Sequence, residues 1–373
     1  MELRKFKDGP DISLLGFGTM RLPVDDGKPA NISVEKSFEM FDYAFEHGVN
    51  YFDTAYMYHD YAAEELTGKA LTRYPRKDFY LATKLPPWYI EKKEDLQRLF
   101  DGQLKKCKVD YFDFYLMHCI TRSTLPMFEK YDAYEFLREQ QKKGKLRYLG
   151  FSIHDGVELM EKVLGKYEFE FGQIQLNYLD WDQLDSKGLY EALSRRNIPA
   201  IIMEPVRGGT LANLPPESAK ILEQANPQRS QASWAMRYAG ELPGVFTVLS
   251  GMSTLQQVKD NVATYTSFAP LTTGEHEVIR QAVEAYRKNA TIPCTVCGYC
   301  MPCPAGVDIP QSLGLYNAFK VSGDQVAFTN EYVHTGKGSQ PEDCTGCGVC
   351  LPLCPQQIDI PKWLGEIARL YKA

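Results

Sequence analysis

Eight of the ten cysteines of this 373-residue chain fall between positions 294 and 354, in two runs of nearly the same form. The first is Cys294-x2-Cys297-x2-Cys300-x2-Cys303-Pro304, the second Cys344-x2-Cys347-x2-Cys350-x3-Cys354-Pro355. The runs form an internal repeat: Cys294, Cys297 and Cys300 recur 50 residues later, and C-P-A-G-V-D-I-P-Q-S-L answers C-P-Q-Q-I-D-I-P-K-W-L. The rest of the sequence sets the conditions for reading them. Hydrophobic residues make up 44% and charged residues 24%, ordinary globular values, and the net charge of −6 leaves no footprint for nucleic acid. The opening MELRKFKDGPD has no apolar core of a secretory signal. No apolar run approaches the ~20 residues that cross a bilayer. The expectation is a cytoplasmic protein, and in a reducing compartment dense cysteines mean metal binding or redox chemistry rather than disulfides.

The spacing narrows the metal. Three thiolates two residues apart can wrap one cubane, while a fourth beyond a chain reversal at proline points elsewhere. Structural zinc takes two separated Cys-x2-Cys pairs and has no place for a third. The ligand candidates for two [4Fe–4S] clusters are Cys294, Cys297, Cys300, Cys303, Cys344, Cys347, Cys350 and Cys354. The duplicated pattern resembles two-cluster bacterial ferredoxins over residues 291–365. That resemblance implies a crossed ligation, with Cys354 completing the set of Cys294, Cys297 and Cys300, and Cys303 completing that of Cys344, Cys347 and Cys350. Cys107 and Cys119 stand apart and read as buried free thiols.

Before the cysteines, short β-rich runs alternate with helical stretches. Strands are expected at Ser13–Gly18, Tyr51–Thr54, Phe79–Lys84, Phe112–His118, Leu146–Ile153, Gln173–Asn177, Ala200–Glu204 and Phe246–Gly251, with amphipathic helices such as Val34–His47 and Lys92–Lys106 between them. Eight such units in this length fit an α/β (β/α)8 TIM barrel over residues 1–285, followed by a small α-rich ferredoxin-like iron–sulfur domain over 286–373. An open doubly wound sheet is the other arrangement, but no G-x-G-x-x-G opens a helix after a strand.

In such a barrel the reacting groups project from the carboxyl ends of strands and the loops beyond them. Asp53, Tyr58, Lys84 and His118 fall there. Each alone has a structural explanation, as a cap, a solvated charge or a core histidine. Together they are complementary. A lysine ammonium next to a tyrosine favours its phenolate and lowers its pKa, an aspartate keeps a buried lysine charged, and a neutral histidine can donate to a carbonyl oxygen. The set can protonate that oxygen as hydride reaches its carbon.

The motifs D-T-A-Y-M-Y (53–58), A-T-K (82–84) and Y-L-M-H (115–118) resemble those of the aldo-keto reductases over about residues 1–285, and M-E-P-x-R-G-G (203–209) is similar to bacterial members with a C-terminal ferredoxin-like domain. The resemblance implies Tyr58 as general acid, Lys84 and Asp53 as its tuning pair and His118 as substrate orienter. It implies a nicotinamide cofactor contacted by Gly18, Thr19, Met20, Asp53, Ser152, Gln173, Met203, Glu204, Pro205, Val206, Gly208, Gly251, Gln257 and Asn261. Four positions depart from the pattern. Ile153 stands where Asn is common. Met203 stands where many members stack an aromatic ring. Gly251 and Gln257 stand where NADPH-selective members carry Lys and Arg, so a 2′-phosphate would have to rely on Lys259 or Arg207. NADP and NAD both remain open.

The expected activity is NAD(P)H-dependent reduction of an aldehyde or ketone, or the reverse alcohol oxidation, on a small-molecule substrate. Leu85–Ile90, with Trp88 and Tyr89, and the loop after His118 are pocket candidates, and His154 reads as structural. A hydride donor passes two electrons and each cluster one. With no flavin motif to bridge them, the clusters are a staple, an electron port for a redox partner protein, or a sensor. The reading from another class is an iron–sulfur electron-transfer protein whose barrel is a nicotinamide-binding or regulatory module, with a flavin or partner.

Overall fold

The computed structural model describes residues 1–288, 292–336 and 338–372. Two compact units emerge from its packing, one of Met1–Val206 with Ala232–Thr272, the other of Arg207–Gln231 with Thr273–Ala373.

The first unit is a closed barrel of eight parallel strands: β3 (Leu15–Gly18), β4 (Tyr51–Asp53), β5 (Tyr80–Leu85), β6 (Phe112–Ile120), β7 (Leu146–Ile153), β8 (Phe171–Gln175), β9 (Ala200–Met203) and β10 (Val245–Gly251), the last pairing back onto β3. All eight expected strands exist. Ahead of them lies an antiparallel hairpin that sequence periodicity did not show, β1 (Leu3–Lys5) and β2 (Asp11–Ser13). It claims the start of the expected Ser13–Gly18 strand. Between its strands Phe6, fully buried, enters the barrel interior with its ring 5.1 Å from Phe114 and 4.7 Å from Phe246. Arg4 ties the hairpin down by donating to the Val245 and Gly240 carbonyls at 2.9 and 2.8 Å.

Helices on the outside bury one stripe each. In Val34–Glu46 the buried positions are Ser37, Met40, Phe41 and Ala44, the i, i+3, i+4, i+7 series of a helix covering a sheet. Glu94–Cys107 ends where Lys108 turns left-handed (φ 54°). Between the helix Ala63–Leu71 and this one, Gly68 makes close approach possible: a Cβ there would stand 2.5 Å from the Lys106 carbonyl oxygen.

In the second unit the helix Pro216–Ala225 packs on Thr273–Arg287, and helices Ile309–Ser322, Gln325–His334 and Ile360–Lys372 close on Val307, Leu313, Phe328, Tyr332, Ile358, Leu364 and Ile367. The sequence repeat acts twice here. Asp308 and Asp359 each precede a helix and accept from the backbone N–H three residues on, Gln311 and Lys362, at 3.1 and 3.4 Å, with proline following in the first turn. Each cysteine run is therefore followed at once by a capped helix. Among the described residues no helix is long and apolar enough to cross a membrane.

Candidate active site and cysteine centres

At the carboxyl ends of β4 and β5, Lys84 and Asp53 are both buried and paired, with Nζ 2.7 Å from each carboxylate oxygen and 2.7 Å from the Thr54 carbonyl. Those three contacts use all three ammonium hydrogens. Burial lowers the Lys84 pKa and raises that of Asp53, and each partner's charge opposes the shift of the other.

The Tyr58 loop follows β4, with Ala63, the first residue of the next helix, donating its N–H to the Tyr58 carbonyl at 3.2 Å. Three consecutive residues, His59, Asp60 and Tyr61, have φ of 53°, 49° and 75°, which coils the loop tightly back into the helix. Lys84 Nζ lies 5.3 Å from the centroid of the Tyr58 ring. The expectation that this ammonium lowers the phenol pKa is not met. Burial first, then Asp53, Glu204 and Cys119, push Tyr58 well above its ordinary value, and Arg21 offsets only part. The Lys84 hydrogens are committed to Asp53 and Thr54, so the carboxylates outweigh it.

His118 is held neutral, its pKa lowered well below the usual value by burial, Lys84 and His154. Its ring centroid is 6.4 Å from that of Tyr58 and 5.6 Å from that of Trp88, both edge-on. β6 does not end at His118 as expected but runs to Ile120, and its register against β7 shifts between Met117 and Ile120. Cys119, at φ 54°, makes the kink and donates its N–H to Ser152 Oγ at 2.8 Å. The irregularity re-aims His118 within a strand that continues past it.

The residues expected around a nicotinamide divide into three groups. Ser152 and Gln173 sit opposite one another on β7 and β8. Gln173 donates to Met203 Sδ at 3.3 Å, while its own Oε1, buried, meets no hydrogen-bond donor; Thr19 Oγ1 is in the same state. Two buried acceptors without donors at the carboxyl end of the barrel fit a ligand bearing an amide and hydroxyls. Gly18 lies against the Ser250 carbonyl, where a Cβ would stand 3.2 Å away, and Thr19 donates its N–H to the Asp53 carbonyl at 2.9 Å, with Met20 next in the loop. Glu204, directly after β9, is held at φ 54° with its carbonyl accepting from Asn177 at 3.0 Å and its carboxylate 3.8 Å from Arg21. The third group surrounds the helix Leu255–Thr266. Asn261 donates to Ser250 Oγ at 2.9 Å, Gly251 lies against the Arg21 side chain, and Gln257 accepts from the Ser253 N–H at 2.7 Å. Lys259, the expected compensating cation, has its ammonium 5.4 Å from the Tyr43 ring centroid. Pro205 and Val206 continue the chain from Glu204, but Arg207 is buried and it and Gly208 fold with the second unit. There a Cβ on Gly208 would meet the Thr295 carbonyl oxygen at 2.5 Å.

The cysteines gather in two sets. Cys294, Cys297, Cys300 and Cys354 line one cavity of about 310 Å³; Cys303, Cys344, Cys347 and Cys350 line another of about 300 Å³. The fourth cysteine of each run thus lies with the three of the other run. Burial and the neighbouring Cys297, Cys294 and Cys354 push Cys300 up to about 12, and Cys350 is raised by burial and by Cys344, Cys303 and Cys347. Four thiolates so close need a cationic centre to share. Among the described residues no three His, Cys, Asp or Glu side chains close on a single ion; each cysteine set surrounds a space instead, which fits a cluster. Cys107 and Cys119 are both buried, as expected.

Fold and site together define an oxidoreductase: a (β/α)8 barrel with a buried carboxylate–lysine pair, a tyrosine and a neutral histidine at its carboxyl end, joined to a cysteine-rich unit. The chain belongs to the aldo/keto reductase family, which it matches over residues 14–284, and it carries a 4Fe-4S dicluster domain over residues 293–359. It is 26% identical over 295 residues to the oxidoreductase YqkF of Bacillus subtilis, covering 70% of this chain and 90% of that one. It is 26% identical over 319 residues to L-galactose dehydrogenase of Arabidopsis thaliana, covering 79% and 97%. The holo form of aldo-keto reductase AKR11C1 from Bacillus halodurans superposes with a TM-score of 0.62 at 26% identity, over 76% of this chain and 96% of that one. The family boundaries fall where the sequence divides, at 284 and 293, whereas packing places Arg207–Gln231 with the cysteine-rich unit.

Proposed function

We propose that this protein reduces an aldehyde or ketone with NADH or NADPH, or runs the reverse oxidation of an alcohol, with Tyr58 as the general acid. The observation that carries this is the site's geometry. The ammonium of the buried Lys84–Asp53 pair lies 5.3 Å from the Tyr58 ring centroid, and the His118 ring stands edge-on 6.4 Å from Tyr58, with burial favouring the protonated phenol and the neutral imidazole. Protonating a carbonyl oxygen needs that combination, a proton donor that is loaded at rest and a neutral hydrogen-bond donor to orient the oxygen.

The nicotinamide supplies hydride to the carbonyl carbon. Ser152 and Gln173 would hold its carboxamide, Gln173 through the buried oxygen that meets no donor within the protein. Gly18, Thr19, Met20, Met203, Glu204, Pro205, Val206 and Gly208, with Gly251, Gln257 and Asn261, complete the proposed contact set, and Asp53 borders it. As negative charge builds on the substrate oxygen, Tyr58 releases its proton to it, and the Lys84 ammonium beneath the ring stabilises the phenolate left behind. His118 and Trp88 border the substrate. Gly251 and Gln257 bring no cation and Lys259 faces Tyr43, so NADH is accepted without the handicap a dedicated phosphate site would impose.

In this reading Cys294, Cys297, Cys300 and Cys354 hold one [4Fe–4S] cluster and Cys303, Cys344, Cys347 and Cys350 the other. Carbonyl reduction proceeds in the barrel without passing through them, because hydride moves two electrons at once and each cluster takes one. Cys347 is exposed, with Val349 and Leu351 exposed beside it, and that supports an electron port to a redox partner protein as the second role. Cysteines gathered in two ligand sets suit the reducing cytoplasm. The test is Tyr58→Phe in the full chain with its clusters. Carbonyl-dependent NAD(P)H oxidation should fall about 10²-fold or more with cluster absorbance intact. Wild-type protein that turns over no carbonyl of a broad panel with either nucleotide would overturn the proposal.

A further inference from the structure

Behind Lys84, on the helix side of β5, lies a second buried carboxylate. Glu64, in the first turn of the helix Ala63–Leu71, is fully buried. Its Oε1 accepts from Thr83 Oγ1 at 2.8 Å and from Gln103 Nε2 at 2.6 Å, and Gln103 also donates to the Lys84 carbonyl oxygen at 3.0 Å. Gln103 Oε1 accepts from the Tyr115 hydroxyl at 2.5 Å. Four residues from two helices and two strands, Glu64, Thr83, Gln103 and Tyr115, are thereby locked around the backbone of Lys84. Glu64 Oε2 has no hydrogen-bond donor and lies 3.7 Å from Lys106 Nζ.

A buried carboxylate with one unfilled oxygen is costly, and simple packing would have been met by an apolar residue. Burial raises the Glu64 pKa, and its bonds from Gln103 and Thr83 with the charges of Lys106 and Lys84 oppose that shift; as a carboxylate tied to the Lys84 backbone through Gln103, it favours the charge of the Lys84 ammonium. Its own chain adds a second link, because the helix that carries it starts at the end of the Tyr58 loop. Gly68, one turn on, lets that helix approach Glu94–Cys107 closely enough for Glu64 to reach Gln103.

We infer that Glu64 is a positioning residue for Lys84: together with Thr83 and Gln103 it fixes the end of β5 and keeps the ammonium charged behind Tyr58. The inference rests on the proposed role of Lys84 in carbonyl reduction. The groups acting on the ammonium are Asp53 from β4, Glu64 from the helix after Tyr58 and His118 from β6, with Lys106 acting on Glu64 from outside. Asp53 and Glu64 both favour its charge. Removing the Glu64 charge therefore lets Lys84 lose its proton at lower pH.

The experiment follows the Lys84 Nζ signal in the full chain labelled with ¹⁵N-lysine. The signal is protected from exchange by burial and assigned by its loss in Lys84→Met. In Glu64→Gln its alkaline midpoint should fall by about one unit, in Glu64→Asp it should stay near wild type, and in Lys106→Met it should rise. With benzaldehyde and NADH, the alkaline limb of kcat should move down with the Glu64→Gln midpoint while KM for NADH holds. Should Glu64→Gln not fold, Lys106→Met, altered at a partly exposed side chain, still reads the sign. A midpoint that stays put in the variants, even with lower thermal stability, would make Glu64 a structural residue and overturn the inference. Absence of wild-type turnover would instead count against the proposed reaction, and the Nζ midpoint would still decide this one.

Discussion

Tyr58 keeps its proton because burial and the charges of Asp53, Glu204 and Cys119 disfavour a phenolate, Arg21 offsets only part, and the Lys84 ammonium is fully engaged with Asp53 and Thr54. That engagement predicts what happens when it is broken. Lys84→Met leaves the Asp53 carboxylate buried without its partner and should cost about 3–5 kcal/mol of stability, measurable by denaturant unfolding, besides abolishing turnover. The histidines give a pH prediction. Burial lowers His154 to about 4, and burial with Lys84 and His154 lowers His118 well below its ordinary value. Both are charged in the unfolded chain below about 6.5 and neutral in the native state. Their stabilising contribution is therefore complete above that pH and is lost as pH falls toward 4. His154→Asn should reduce the acid slope of stability by about one proton between those limits, while leaving stability at pH 8 governed by packing alone. An unchanged slope would place the protonated ring comfortably in the fold.

The elements show what the sequence could and could not carry. Asp53, Tyr58, Lys84 and His118 were legible because each belongs to a short fixed motif near the carboxyl end of a strand. Glu64 was not, since in E-E-L-T-G-K-A-L two adjacent carboxylates look alike until Gly68 shows which one faces the neighbouring helix. The kink at Cys119 was hidden because the run F-D-F-Y-L-M-H-C-I, buried throughout and mostly apolar, carries no sign of a register shift. The β1–β2 hairpin was hidden because three-residue strands have too few alternations to count. The most consequential surprise is the segment Arg207–Gln231, barrel sequence by family boundary yet packed with the cysteine-rich unit. Gly208, at φ 64° against the Thr295 backbone between Cys294 and Cys297, is its tightest point. Gly208→Ala should both strain the backbone, at about 1–3 kcal/mol, and displace that cysteine loop, speeding loss of cluster absorbance in air. Gly209→Ala, at φ 101° but with open space around it, should show the strain alone. Chelating the iron under anaerobic conditions should likewise raise hydrogen exchange in 207–225 along with 292–372, and leave β4 and β5 protected. Protection of 207–225 that survives chelation would return that segment to the barrel.

For the molecule as a whole, the two halves of the sequence announce different currencies of electron transfer, and the account assigns them different tasks. The barrel holds a complete acid–base arrangement with its own buried charges. The cysteine sets form within a unit whose apolar core, from Val307 to Ile367, is small enough for bound metal to matter to its stability. The repeat that builds them was legible because ligand spacing is local, whereas the aspartate caps after each run emerged only in the structure. The most direct measurement is anaerobic stopped-flow on iron-replete protein mixed with NADH or NADPH and an aldehyde panel, following nicotinamide absorbance and cluster absorbance in the same trace. One nicotinamide should be oxidised per carbonyl reduced while the cluster signal stays flat, and Tyr58→Phe should remove the first without touching the second. Cluster bleaching in step with nicotinamide oxidation, or carbonyl reduction that survives Tyr58→Phe, would contradict this reading.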